Sequence, residues 1–341
     1  MVLFSIIIPM YNLENYIEHT LRSITKSIEA LEPEICELIL VDDGSKDNTV
    51  IIAENYLKTS GNFSYTILKK DNSGVSDARN LGMKKAGGEY LIFCDGDDFF
   101  EPTLLHEAQK AVDKSPDMAI WRYRITQGKR ETVSQENVKE AWYSGPEMLH
   151  KHLLEGYRVR LGSFVVRREL IEQNEICFTS GCNYAEDMEF IMKCLMNAKT
   201  VHFIPQILFR YAKREGSLMY SYNITRFETP RTIKRVWEYA LSDGRNTQID
   251  DETLEYMECG LYALHAMYSF DACVQSADKT VQTREIYHEY LEKYKDVEET
   301  LCKIRKRIKR PPVGISKQKW ELFIISRRWY LTIYRLRYKG C

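Results

Sequence analysis

Through the first hundred residues, short apolar runs alternate with stretches of helical period. Phe4–Pro9 is dominated by apolar residues and is stopped by Pro9. From Asn15 onward Ile17, Leu21, Ile24 and Ile28 keep helical spacing, and Asn12 is placed to cap that helix. Leu38–Val41 reads as a second buried strand, ended by Asp42-Asp43-Gly44-Ser45, and Asp47 or Asn48 can cap a helix over Val50–Lys58. Phe63–Leu68 reads as a third strand, Ser76–Lys85 as a helix closed by Gly87-Gly88, and Tyr90–Cys94 as a fourth strand running into Asp95-Gly96-Asp97-Asp98. Continuously apolar strands alternating with helices predict an α/β fold, a mainly parallel sheet with helices on both faces. In such sheets ligands bind beyond the carboxyl ends of the strands, where each of these runs ends in a polar cluster.

The pattern then changes. Met118–Ile125, Arg160–Val166, Thr200–Ile204 and Ile207–Tyr211 read as strands, and Glu186–Met196 as a helix. From Phe227 to Cys302 the helical period dominates, with Tyr, Leu and Met on the apolar faces. Arg310-Pro311-Pro312-Val313-Gly314 reads as a linker, and Lys317–Lys339 mixes aromatic and basic residues. There is no internal repeat.

A length of 341 residues corresponds to about two domains. Hydrophobic and charged contents of 44% and 28% are those of a globular chain, which excludes extended disorder, collagen and coiled-coil arrays. No apolar run reaches the ~18 residues of a membrane-spanning helix. Met1 leads directly into strand-like sequence without the marks of a secretory leader, so a cytoplasmic protein is expected. The nine cysteines are scattered, odd in number and never in C-x-x-C spacing, so free, mostly buried thiols and no zinc site are expected.

The net charge of −1 hides an asymmetry. Residues 303–341 hold thirteen Lys and Arg against one acid, Glu321, a local charge of +12 that leaves −13 on the rest.

Three clusters can carry chemistry. Asp95 and Asp97 flank a glycine just after a strand, where two carboxylates can share a pocket and hold Mg²⁺ or Mn²⁺. A cation there would make a bridged diphosphate a better leaving group. Equally, the segment can be a solvated turn whose Asp97 or Asp98 caps a helix. Asp42-Asp43 can accept from a ribose hydroxyl or a base N–H, or can simply form a strand-to-helix turn. In Asn72–Gly82, Arg79 stands on the first turn of a helix, ready to pair with phosphate, or to form a surface salt bridge to Asp77 or Asp71.

Taken in order, Pro9-Met10-Tyr11-Asn12, Asp42-Asp43-Gly44-Ser45, Gly74…Ala78-Arg79-Asn80…Gly82 and Asp95-Gly96-Asp97-Asp98 make a specific set. The sequence resembles the family-two glycosyltransferases, inverting enzymes of GT-A fold common in bacterial surface-polysaccharide synthesis. The resemblance continues through Tyr184-Ala185-Glu186-Asp187-Met188-Glu189-Phe190 to Tyr211…Gly216-Ser217, and so covers about residues 3–220. It implies a GT-A domain over 1–220, with a nucleotide-binding half at 1–100 and an acceptor half at 101–220. A helical region at 221–302 and a basic aromatic tail at 303–341 follow.

By position, the resemblance implies that Pro9, Tyr11 and Asn12 line the nucleotide pocket, with Tyr11 stacking on the base. Asp42 and Asp43 would hold uracil or ribose, and Gly74, Arg79 and Asn80 would lie near the uracil and diphosphate. Asp95, Gly96 and Asp97 form the D-x-D element, with Asp95 and Asp97 binding Mn²⁺ or Mg²⁺. Asp187 would be the general base, Glu186 would orient base or acceptor, and Arg210 and Arg214 are further candidates for the diphosphate. The implied reaction moves a sugar from a nucleotide sugar, a UDP-sugar first, to a hydroxyl of a saccharide or lipid-linked saccharide. Gly96 departs from the serine, alanine or asparagine usual between the aspartates. Arg160-Leu161-Gly162-Ser163-Phe164 replaces a Trp-Asn-Lys-like element.

Two other classes compete. A nucleotidyltransferase would want a Gly-rich, basic phosphate loop after the first strand, which Pro9–Asn12 lacks. An inactive scaffold that binds carbohydrate or lipid would have no need of Asp95, Asp97 and Asp187. For the tail, the acidic body argues against a nucleic-acid partner. Trp320, Phe323, Trp329, Tyr330, Tyr334 and Tyr338 among Lys and Arg fit docking on an anionic membrane surface, peripheral to the cytoplasmic face. A solvated helical face is the plainer alternative.

Overall fold

A computed structural model describes residues 2–29, 31–32, 35–61, 63–128, 130–135, 138–213, 222–277, 281–308, 311–312 and 315–339. They form two compact units, Met1–Lys213 and Arg214–Cys341. Arg214, Gly216 and Ser217, singled out in the sequence, lie outside the described residues, as do Arg310, Val313 and Gly314 of the linker.

In the first unit, β1 (Phe4–Met10) is buried at every position, as a central strand must be. There follow α1 (Ile17–Ile28), β2 (Cys36–Asp42), α2 (Thr49–Thr59), β3 (Ser64–Lys69), α3 (Val75–Lys85) and β4 (Tyr90–Phe93). Next come β5 (Phe99–Phe100), α4 (Leu104–Val112), β6 (Met118–Gln127), β7 (Arg130–Val133), β8 (Ala141–Tyr143) and α5 (Gly145–Leu154). The unit closes with β9 (Phe164–Arg167), α6 (Arg168–Gln173), α7 (Glu186–Asn197) and β10 (Val201–Ala212).

The sheet runs β3-β2-β1-β4-β9-β6-β10-β5, with β7 beside β6 and β8 beside β10. Its first four strands are parallel. Beyond β4 the sheet is mixed, because β9 enters antiparallel to both β4 and β6. The two strands expected at Thr200–Ile204 and Ile207–Tyr211 are one strand, β10. Its register against β6 shifts between Ile204 and Ile207, where Pro205 has no N–H to give the ladder.

Alternation along β1 feeds two cores. Phe4, Ile6, Ile8 and Met10 join Ile17, Leu21 and Ile24 of α1 and Leu104 of α4 on one face. On the other, Ile7 and Val41 lie under Gly82 of α3, and Phe93 meets Phe178 and Phe190 edge-on. Helices thus cover both faces. Asn12 does not cap α1, which begins five residues later after Tyr16. Instead Asn12 sits in left-handed backbone (φ 51) and its Oδ1 accepts the Lys46 N–H.

The second unit is helical: α8 (Glu228–Leu241), α9 (Asp251–Glu255), α10 (Tyr262–Ser276), α11 (Thr283–Lys293), α12 (Lys295–Ile304), α13 (Lys317–Ile325) and α14 (Arg327–Lys339). Phe227, Phe270 and Tyr290 pack ring on ring at its centre, 4.5–4.7 Å apart. The basic tail does not stand apart from 221–302. Trp320, Phe323 and Tyr330 are buried in this unit, which removes them from the aromatic residues expected at a membrane surface. Asp271 of α10 accepts from Lys319 Nζ at 2.7 Å and from the Tyr330 hydroxyl.

Candidate active site

The carboxyl ends of β1 and β2 are level, Met10 opposite Asp42. Tyr11 follows β1 with 46% of its surface exposed, free of the core and able to stack on a planar ligand. Asp42 and Asp43 are both buried, and their oxygens are largely engaged by the protein. Asp42 accepts the Ser45 N–H at 3.2 Å. Asp43 accepts the N–H groups of Ser73 and Gly74, each at 2.9 Å, and pairs with Lys70. Lys70, one residue beyond β3 at the same sheet edge, was not singled out in the sequence. Gly74, at φ 100, stands just before α3 at its N-cap, and its backbone turn depends on residue type because only glycine adopts that conformation without strain. Asp43 therefore shapes the Asn72–Gly74 turn that leads to Arg79.

Arg79 is buried and does not form the surface bridge to Asp77 or Asp71. Its Nη2 donates to Asp95 Oδ1 at 2.7 Å and its Nη1 to Glu186 Oε1 at 3.1 Å. The guanidinium lies 5.1 Å from the centre of the Phe178 ring, which stacks in turn on Phe190 at 4.2 Å. Its Nε is buried without a hydrogen-bond partner among the described residues. Burial opposes the charge on Arg79, but Asp95 and Glu186 outweigh it and hold the guanidinium protonated. Burial, and then the neighbouring Asp187, raise the pKa of Glu186, while Arg79 works against both.

Two expectations around the D-x-D element change. Asp98 caps no helix; its Oδ1 accepts the Ala212 N–H at 2.9 Å and ties the element to the end of β10. Burial pushes the Asp98 pKa well up, with Asp95 and Asp97 adding to it. The side-chain position of Gly96 faces the core. A Cβ there would stand 2.5 Å from Leu13 Cδ1, so Leu13 occupies the space a serine or alanine would need.

Asn80 also has a different task. Its Nδ2 donates to the Phe178 carbonyl at 2.8 Å, and its Oδ1 accepts the Phe178 N–H at 3.0 Å. Ser76 Oγ donates to the Cys182 carbonyl and Ser180 Oγ to Asp77. Helix α3 thus braces the whole loop before α7. That loop ends at Ala185, held in left-handed backbone (φ 62) with no glycine to relieve it, a cost of order 1–2 kcal/mol stored next to the candidate base. Glu186 and Asp187 follow as the first two residues of α7, where the helix N-terminus favours carboxylates.

Arg160, in the stretch that departs from the family's usual residues, comes in from the other side. Its guanidinium lies 4.8 Å from the Tyr211 ring and 5.7 Å from Tyr123, near enough to interact with Asp187 and Asp98. No signal local to the sequence marks this, since Arg160 and Asp187 meet only through the fold. Arg210 pairs with Glu101 at 3.2 Å.

Among the described residues, Asp95, Asp98, Glu186 and Asp187 are set against the guanidinium groups of Arg79 and Arg160. An incoming diphosphate would add negative charge to an acidic site, so a cation suits it electrostatically. Among the described residues no group of three or more His, Cys, Asp and Glu is arranged to hold a metal ion. Two carboxylates with substrate phosphates are the usual donor set for Mg²⁺ or Mn²⁺, and Asp95 and Asp97 fit it.

Residues 5–174 match Glycosyl transferase family 2. The chain belongs to this family. Among its relatives, an uncharacterized glycosyltransferase, EpsJ of Bacillus subtilis, is 29% identical over 63% of this chain and 62% of its own. The poly(ribitol-phosphate) beta-N-acetylglucosaminyltransferase TarS of Staphylococcus aureus is 31% identical over 65% of this chain and 37% of its own. The chain thus spans less than two thirds of the length of these curated relatives. The structure of S. aureus TarS residues 1–349 in complex with UDP superposes with a TM-score of 0.69 at 19% identity, covering 98% of this chain and 89% of that one. A mannosyltransferase of Pyrobaculum calidifontis, in complex with GDP-Man and Mn²⁺, gives 0.55 at 15% identity over 98% of this chain and 86% of its own. This family-2 chain accordingly has the GT-A fold, followed by a helical C-terminal unit.

Proposed function

We propose that the chain transfers a sugar from a UDP-sugar to a hydroxyl of a surface saccharide or a lipid-linked saccharide, with inversion at the anomeric carbon. The observation that carries this is the Arg79 bridge, which joins the D-x-D carboxylate Asp95 to Glu186 beside Asp187. It sets a leaving-group site and a base site on one rigid side chain. Tyr11 stacks on the uracil, and Pro9, Asn12 and the Asp43-shaped turn at Gly74 line the donor pocket. Asp95 and Asp97 are the carboxylates that would hold Mn²⁺ or Mg²⁺, which neutralises charge on the departing diphosphate. Asp187 takes the proton of the acceptor hydroxyl as its oxygen bonds to the anomeric carbon and the bond to the diphosphate breaks. Glu186 orients Asp187 and the acceptor. Asn80 and Gly96 act by holding the loop and the D-x-D backbone.

The UDP-GlcNAc complex of TarS supports trying UDP-GlcNAc first among donors, and the poly(ribitol-phosphate) transferases among the relatives support testing polyol-phosphate acceptors beside saccharides. In this reading the chain works in the cytoplasm, which suits eight cysteines that are all free thiols among the described residues. Calorimetric titration of UDP, GDP, dTDP and CDP, with Mn²⁺ and with chelator, tests the donor site on wild type and Asp97→Ala. UDP binding that needs metal and is lost in the variant is expected. Binding of no nucleotide by wild type would sink the proposal.

A further inference from the structure

We infer that the solvent face of α14, with the end of α13, docks on an anionic lipid surface. The reading is independent of the sugar-transfer proposal. A helix on the outside of a helical unit ordinarily turns one apolar stripe inward and a polar face outward. In α14 the inward stripe is complete: Arg327, Tyr330, Leu331 and Arg335 are buried. The outward face is apolar as well. Trp329 is 65% exposed and Leu336 70%, with Ile333 between them at i+4, and Ile325 at the end of α13 is 73% exposed. Trp329, Ile333 and Leu336 fall at spacings of four and three, one side of the helix.

Basic residues accompany this stripe in the same segment of the chain. Arg328 is exposed on α14 itself. Arg327 donates to Cys302 Sγ at 3.3 Å and pairs with Glu298, which brings the end of α12 to the start of α14. Lys303, Arg305 and Lys306, all exposed, follow directly. The stretch 303–341 carries thirteen bases and one acid. A second copy of the chain would set these like charges against themselves across a two-fold interface. A nucleic acid would meet Trp, Ile and Leu where it needs polar contacts. An anionic bilayer satisfies both features: apolar side chains enter the headgroup boundary, tryptophan prefers that depth, and each nearby base adds about 1 kcal/mol. No helix among the described residues is long and apolar enough to cross a membrane, so the contact lies in the plane of the interface.

The test uses the full chain, co-sedimented with vesicles of phosphatidylcholine alone and of phosphatidylcholine mixed with phosphatidylglycerol, at low and high salt. Wild type should pellet with the anionic vesicles, less so at high salt, and Trp329→Gln/Leu336→Gln should bind about tenfold more weakly or worse. Circular dichroism keeps the comparison to folded protein, since both residues point to solvent. Brominated acyl chains should quench more tryptophan fluorescence in wild type than in the double variant. Wild type left in the supernatant, or equal pelleting of both proteins, overturns the inference. So does a dimer in sedimentation velocity that the double variant loses without any vesicle binding, which would assign the face to a second copy.

Discussion

Arg79 and Glu186 are 107 residues apart in the chain, yet Arg79 Nη1 donates to Glu186 Oε1 at 3.1 Å. The same guanidinium holds Asp95 with its other nitrogen. For Glu186 the bridge works against the burial that raises its pKa. It also fixes the distance between the D-x-D element and the start of α7.

Arg79→Lys keeps the charge but offers one point where two directions are needed. Its kcat/KM for sugar transfer should fall by about 100-fold, as for a small misplacement of reacting groups. Steady-state kinetics with donor varied checks this, and turnover near that of wild type would refute it.

Asp187→Asn removes the proton acceptor and leaves the shape. It should lower kcat by about 10³-fold and leave UDP affinity within about twofold of wild type. Calorimetry and single-turnover assays read the two quantities separately. A proportional loss of binding would mean that Asp187 holds the donor instead.

Asn80→Ala deletes both hydrogen bonds to the Phe178 backbone. A stability loss of about 2 kcal/mol is expected from denaturant unfolding. Because the loop carries Ala185 to Asp187, kcat should drop while donor affinity stays. A fall in donor affinity with kcat unchanged would return Asn80 to the nucleotide pocket.

Gly96→Ala must displace Leu13, which is buried. A loss of about 2 kcal/mol follows. Adding Leu13→Ala should recover part of it, as a favourable coupling of at least about 0.5 kcal/mol in a double-mutant cycle. Simple additivity would show that the two residues do not compete for space.

His152 on α5 is buried, which lowers its pKa from 6.5 to about 4. Between those values the unfolded chain binds a proton that the folded chain refuses. Its contribution is therefore complete above about pH 6.5 and is lost as pH falls toward 4, by up to about 3 kcal/mol. The difference in unfolding free energy between wild type and His152→Gln should change over that window. A pH-independent difference would show that His152 titrates normally.

Much of the first unit was legible because buried parallel strands write themselves as apolar runs, and β1, β2 and β4 lie within a residue or two of expectation. Asn12 misled because its side chain has the right chemistry for a cap, but the Ser45–Lys46 loop competes for it. The antiparallel entry of β9 was not legible, since Phe164–Arg167 is apolar in either direction. Arg160 and Lys70 meet their carboxylates only through the fold. In the tail, aromatic residues occupy both sides of the helices, so periodicity alone could not say which side faces in. Trp320 and Tyr330 face in, and Trp329 faces out.

Strand β9 also bears on how the chain comes off the ribosome. Tyr90 and Leu91 of β4 take their ladder partners from Arg167 and Val166. Synthesis runs from the amino end, so the first four parallel strands emerge with one flank of β4 bare until some seventy further residues have been made. During that interval a sticky backbone edge is on offer to any passing strand. A chaperone that shields it, or a pause in translation before Phe164, would change the yield of native protein without altering a single contact in the finished fold.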